Sequence, residues 1–156
     1  MNFIPRGATD KQVLEIARHW IDVLAAEDYA AFFSAIGYAM AYQHDCPGSE
    51  SIRRAINNYR SPMYYPGVEE FVVSNWRSAK GGNPEPLQSV QWFKPNSVGE
   101  VGIVGAVAMH LPLNGRWSDL EADFVWFENE KMTEGYRLGL EDIVCPAQLA
   151  RESDAP

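Results

Sequence analysis

Positive charge is scarce in this chain: 13 Lys+Arg stand against 21 Asp+Glu, a formal net charge of −8. Nucleic acids are held by clustered cationic side chains, so a nucleic-acid partner is not expected. Cysteine is also scarce. Cys46 and Cys145 are too far apart for a CxxC pair and too few for a disulfide framework, which points to a reducing, cytoplasmic setting. No apolar run approaches the roughly 18 residues of a membrane span. Met1 to Thr9 lacks the basic and then apolar stretch of a signal peptide. The three histidines (His19, His44 and His110) show neither HxH nor HExxH spacing, so no metal site is expected. Gly81-Gly82 is not followed by the lysine and hydroxyl residue of a phosphate loop, and there is no GxSxG elbow or reactive-cysteine signature. Nothing in the chain calls for a cofactor.

What is present is a well-stocked core. Five Trp, seven Tyr and seven Phe in 156 residues, 46% hydrophobic overall, suit one folded domain over 1–156, with 1–8 and 147–156 as loose tails. Thr9 with Gln12 forms a capping box ahead of Val13, Ile16, Ala17, Trp20, Ile21 and Leu24, which share one helical face. Asp28 caps a short second helix ending at Gly37, and Ser49 caps a third over Glu50 to Tyr59. His19 falls at the border of the first helix. Residues 60–67 hold two prolines and a glycine that forbid regular structure, and aromatics that imply packing. Val68 to Trp76 is a strand candidate. The Gly-Gly-Asn-Pro stretch inside 77–87 is the clearest flexible loop.

From Ser89 onward the pattern changes to strands. Asn114-Gly115 is a strong two-residue hairpin signal, because both residues tolerate positive φ. A tight turn there pairs His110 with Asp119, Ala108 with Glu121 and Ala106 with Asp123. The opposite face pairs Met109 with Leu120, Val107 with Ala122, Gly105 with Phe124 and Ile103 with Trp126. Helices first and an antiparallel sheet afterwards make an α+β protein, with N-terminal helices packed on a curved sheet.

Parity along the strand from 117 to 128 leaves two arrangements open. Either the greasy even-numbered face packs on the helices and the carboxylates face outward, or the odd-numbered face turns inward. In the second case Asp123 sits in a pocket beside small Ala106 and Ala108, with Val125 and Phe127 as the deeper wall. The exposed greasy face is then covered by a second subunit.

The helix segment Ala17-Arg18-His19-Trp20-Ile21-Asp22-Val23-Leu24-Ala25-Ala26-Glu27-Asp28, the Gly48-Ser49-Glu50 helix entry and the strand Leu120-Glu121-Ala122-Asp123-Phe124-Val125-Trp126-Phe127 resemble the nuclear transport factor 2-like superfamily. That group includes ketosteroid isomerase and the SnoaL-type polyketide cyclases. The resemblance implies a conical fold that binds a small apolar or amphipathic molecule between helices and sheet, and a homodimer through a sheet face. Trp20, Tyr42, Tyr59, Val125 and Phe127 would line the site. If proton transfer occurs (isomerase, cyclase or dehydratase chemistry), Asp123 would be the buried acid and Asp45 the base. Trp20 stands where the isomerases carry a tyrosine, which speaks against steroid isomerisation. The alternative is a protein-interaction module, of immunity or accessory type, whose cone is plugged by Trp20, Trp92 and Phe32.

Overall fold

The computed structural model describes residues 2–39, 48–94 and 102–154. A short strand β1 (Phe3–Pro5) precedes helix α1 (Asp10–Ala25). The expected capping box closes at the start of α1. Gln12 N–H donates to the Thr9 hydroxyl at 3.2 Å, and Thr9 N–H donates to Gln12 Oε1 at 2.8 Å. Asp28 Oδ1 accepts the Ala31 N–H at 3.1 Å and starts α2 (Tyr29–Ala35). Helix α3 (Ser49–Asn57) begins one residue earlier than Ser49 would have capped it. Gly48 is its cap, and the Ser51 hydroxyl bonds both the N–H and the C=O of Gly48. Strands β2 (Gln88–Trp92), β3 (Ile103–Leu113), β4 (Arg116–Phe127) and β5 (Gly135–Val144) follow, and then α4 (Pro146–Ser153). The sheet order is β1-β5-β4-β3-β2, antiparallel throughout and curled like half a barrel.

Neither end is a loose tail as expected. Phe3–Pro5 pairs with Gly135 to Arg137 on β5, and residues 146–153 are helical. These segments are short and lack strong periodicity, so only their tertiary partners mark them.

The hairpin turn is as expected, with φ of 51° at Asn114 and 80° at Gly115. The register beyond it is not. Pro112 faces Trp117, but His110 faces Glu121, so β4 carries two extra residues around Ser118. Pro112 has no N–H for a ladder. Instead the buried Ser118 hydroxyl donates to Leu111 O at 2.6 Å and accepts the Leu120 N–H at 3.0 Å. Because this slip is even, residues from Gly105 to His110 keep their face while their partners move by two positions, and a second shift pairs Ile103 with Phe127. Ala108 therefore lies opposite Asp123, and Ala106 opposite Val125.

The structure decides the parity. Val107, Met109, Leu111 and Leu113 of β3, Leu120, Ala122, Phe124 and Trp126 of β4, and Leu138, Leu140 and Ile143 of β5 form one core with the helices. Trp20 meets Phe32 edge-on at 6.1 Å between centroids, and Phe32 meets Phe124 at 6.2 Å. The arrangement that placed Asp123 between helices and sheet is thereby overturned. The physical reason is an imbalance. Each apolar Å² removed from water contributes about 25 cal/mol, whereas burying unpaired carboxylates costs on the order of several kcal/mol each. The greasy face lies under helices and needs no second subunit to cover it.

The segment before β2 also differs from expectation. Val68 to Trp76 makes no ladder, only a bridge between Val73 and Leu113. The Gly/Pro loop, expected to be flexible, is pinned to the β3–β4 hairpin. Asn83 is buried, its Nδ2 donating to Ser118 O at 2.9 Å, and its N–H donating to Trp117 O at 2.9 Å. Gly82 has φ of +78°, and a Cβ there would sit 2.3 Å from Trp117 O. Glycine is required at that position both by the backbone conformation and by the close approach. Upstream, the Tyr65 hydroxyl hydrogen is shared between Leu113 O at 2.9 Å and Arg116 O at 2.7 Å, so the aromatic segment grips the same hairpin.

Candidate functional site

Two concave regions contain expected site residues, one on each side of the sheet. The first lies where β5 stops and the chain turns into α4. Val144 faces Glu121, so the β4 residues before it have no β5 neighbour. The last turn of α3, the tyrosine after it and α4 surround that exposed end. The result is a cleft of about 470 Å³ whose floor is Leu120, Ile143, Tyr59 and Cys145, with Arg60 and Gln148 at the rim. Helix α4 stands off this floor. None of its residues is buried, and Leu149 beside the cleft is 51% exposed. Polar bonds hold the helix in place. The Arg60 N–H donates to Gln148 Oε1 at 2.7 Å, Gln148 Nε2 donates to Asn58 O at 2.8 Å, and Arg151 Nη2 donates to Arg60 O at 2.9 Å.

Tyr59 is buried and stacks on Tyr65 and Phe71, with centroids 5.8 and 5.1 Å away. Its hydroxyl donates to Asp119 Oδ1, and the Tyr59 hydroxyl oxygen accepts the Asp119 N–H at 3.4 Å. Burial raises the Tyr59 pKa, and the bond to Asp119 raises it further, so the phenol stays protonated. Burial also pushes the Cys145 thiol up, with Asp119 adding to the shift. The floor of the cleft therefore presents a neutral phenol, bonded to Asp119, and a neutral thiol. That set recognises a polar group by hydrogen bonding but activates no thiolate nucleophile.

The second region is a trough of about 370 Å³ on the sheet face away from the helices. Small Ala106 and Ala108 form its bed, Ser89 and Gln91 of β2 one wall, and Glu121, Asp123 and Glu141 the other. Burial and a hydrogen bond with Glu121 push the Asp123 carboxyl up to about 8, so it holds a proton at neutrality. At the end of the trough, His110 Nδ1 accepts the Leu87 N–H at 2.8 Å and faces Asn83 Nδ2 at 3.0 Å. Those two donors assign the proton to Nε2, and burial lowers the His110 pKa.

Among the described residues, those expected to share one pocket do not. Trp20 and Tyr59 are buried on the helical side. Asp123 lies on the opposite face with Val125, which is buried but outside the main core, and half-buried Phe127. Tyr42 and Asp45, with His44 and Cys46, lie outside the described residues. Among the described residues of the expected lining only Tyr59 reaches the cleft, and Asp123 lines the trough. Asp119 was singled out with the acidic face, but its bond to Tyr59 depends on where β5 ends, and no local sequence signal carries that. Among the described residues no group of three or more His, Cys, Asp or Glu is placed to hold a metal ion, and no helix is long and apolar enough to cross a membrane.

No protein-family model matches the chain, and no curated protein and no solved structure is significantly similar to it.

Proposed function

We propose that this protein binds a small amphipathic molecule in the cleft between α3, the end of the sheet and α4. The observation that carries the proposal is the unfilled space of about 470 Å³ floored by Leu120, Ile143, Cys145 and buried Tyr59, whose hydroxyl is held by half-buried Asp119. The lining is mixed: Leu120, Ile143 and Leu149 offer apolar contact, and Asn58, Arg60, Gln148 and Glu152 offer polar groups, which suits an amphipathic ligand. The order of helices and curled sheet supports the resemblance to nuclear transport factor 2-like proteins, with the site displaced from the cone interior to its end. Proton-transfer chemistry receives less support, because Asp123 and Tyr59 lie on opposite faces of the sheet.

The test uses the neutral fluorophore N-phenyl-1-naphthylamine with native mass spectrometry of protein purified from its own host. Ala55→Phe fills the cleft and Ala108→Phe fills the trough. The probe binds the unaltered protein, loses at least about tenfold in affinity in Ala55→Phe, and is unaffected by Ala108→Phe. Absence of both probe binding and a retained molecule overturns the proposal, as does sensitivity to Ala108→Phe alone.

One observation favours a second proposal, a protein-interaction module. The interior is filled by the Trp20–Phe32–Phe124 stack and by Trp92 against Trp126, with centroids 5.1 Å apart. In that case copurification from the host yields a stoichiometric protein partner and no small molecule.

A further inference from the structure

The two edges of the sheet are built differently. On one side β1 is three residues long and ends in Pro5, and further along that edge of β5 the Gly37–Ala39 backbone covers Leu140. Leu140 N–H donates to Gly37 O at 2.9 Å, and Ala39 N–H donates to Leu140 O at 2.8 Å. Prolines, short strands and covering segments are the usual protections of an edge. On the other side lies β2, Gln88-Ser89-Val90-Gln91-Trp92, with no charge, no proline and no bulge. Among the described residues no strand pairs with its outer edge.

Its hydrogen-bonding direction follows from its neighbours. His110 N–H donates to Leu87 O at 3.0 Å and Phe93 N–H donates to Val104 O at 2.8 Å, so the odd-numbered residues bond to β3. Gln88, Val90 and Trp92 turn their N–H and C=O groups the other way. Their side chains lie on the helical face, where Arg18 Nη2 holds Gln88 Oε1 at 2.5 Å and Trp92 Nε1 holds Asp10 Oδ1 at 2.8 Å. The strand is thus straight and braced from one side. Trp92 is nevertheless 40% exposed.

We propose that β2 pairs antiparallel with β2 of a second copy, across a two-fold axis at Val90. The strand is chemically self-complementary about that residue. Ser89 falls opposite Gln91 of the second copy, polar against polar, and the absence of charge leaves nothing on the strand to repel its own image in a chain of net charge −8. The outward groups of Gln88, Val90 and Trp92 supply about six main-chain hydrogen bonds. The contact is small, so the dimer is weak and forms at high concentration. It joins two sheets into one and brings Ser89 and Gln91 of each copy, which wall the acidic trough, beside those of the other.

The Val90 N–H faces the open edge, so Val90→Pro removes no bond to β3 and is tolerated in the monomer, yet it removes the central donors of the pair. At about 0.1 mM the unaltered protein sediments as a dimer that dissociates on dilution. Val90→Pro sediments as a monomer with its circular dichroism retained. Ser89 and Gln91 form a non-hydrogen-bonded pair across the axis, the geometry in which cross-strand disulfides close. A Ser89→Cys/Gln91→Cys variant in a Cys46→Ser background therefore cross-links to a dimer on mild oxidation, and this readout stands even if Val90→Pro fails to fold. A monomer at the highest concentration with no cross-link overturns the proposal. So does a dimer that survives Val90→Pro.

Discussion

Replacing Asp123 with asparagine should stabilise the protein at alkaline pH and leave it unchanged at acid pH. In the folded state burial and Glu121 push the Asp123 carboxyl up to about 8, against 3.8 for the free group. Between those values the folded chain holds a proton that the unfolded chain has released. Stability therefore falls as pH rises through that window, and is level below and above it. The limiting slope is about 1.4 kcal/mol per pH unit. Asp123 is only half-buried, on a face open to water, and screening reduces the whole effect to about 1–2 kcal/mol between pH 4 and 8. Asparagine keeps the shape and a donor toward Glu121 but never ionises. Urea unfolding of both proteins at a series of pH values should give equal stabilities at about pH 3, below the unfolded value, with Asp123→Asn ahead by about 1–2 kcal/mol near pH 8.5. A difference that does not change with pH, or a variant less stable at pH 8.5, refutes the assignment of a proton to Asp123.

Two further outcomes follow from the same structure. Tyr59→Phe removes the donor to Asp119 and leaves a half-buried carboxylate short of a partner. The expected loss is about 1.5–3 kcal/mol in denaturant unfolding, and a neutral result would show that the pair is not formed. Protonation of His110 at Nδ1 would break its bonds to Leu87 and Asn83. Its pKa is lowered in the folded state, so the stability it contributes is present above the unfolded value of 6.5 and is lost as pH falls through the folded one. Hydrogen exchange at the Leu87 amide, corrected for the intrinsic pH dependence, should lose protection in mildly acidic buffer; unchanged protection at acid pH would place the anchor of the loop elsewhere.

Local chemistry made several elements legible before any tertiary contact was known. The Thr9–Gln12 box, the Asp28 cap and the Asn114-Gly115 turn each depend on residues within a few positions of one another, and each formed where the pattern placed it. The division of β3 and β4 into a greasy and an acidic face was likewise readable, because side chains alternate with period two whatever the strand pairs with. The pairing itself was not. The slip at Ser118 arises from Pro112 on the neighbouring strand and from a buried hydroxyl, and neither acts within one segment.

What the sequence by itself determined, then, is the α+β order, the helix starts, the hairpin and the existence of a face bearing Glu121 and Asp123. Only the tertiary structure decided which face the helices cover, because that depends on the balance between apolar burial and carboxylate desolvation across the whole sheet. It also decided that Tyr59 meets Asp119, and that the Gly/Pro loop is bound to the hairpin. Those contacts join residues 60 and 35 positions apart, and are made only when β5 stops short and the preceding segment folds back over the exposed end.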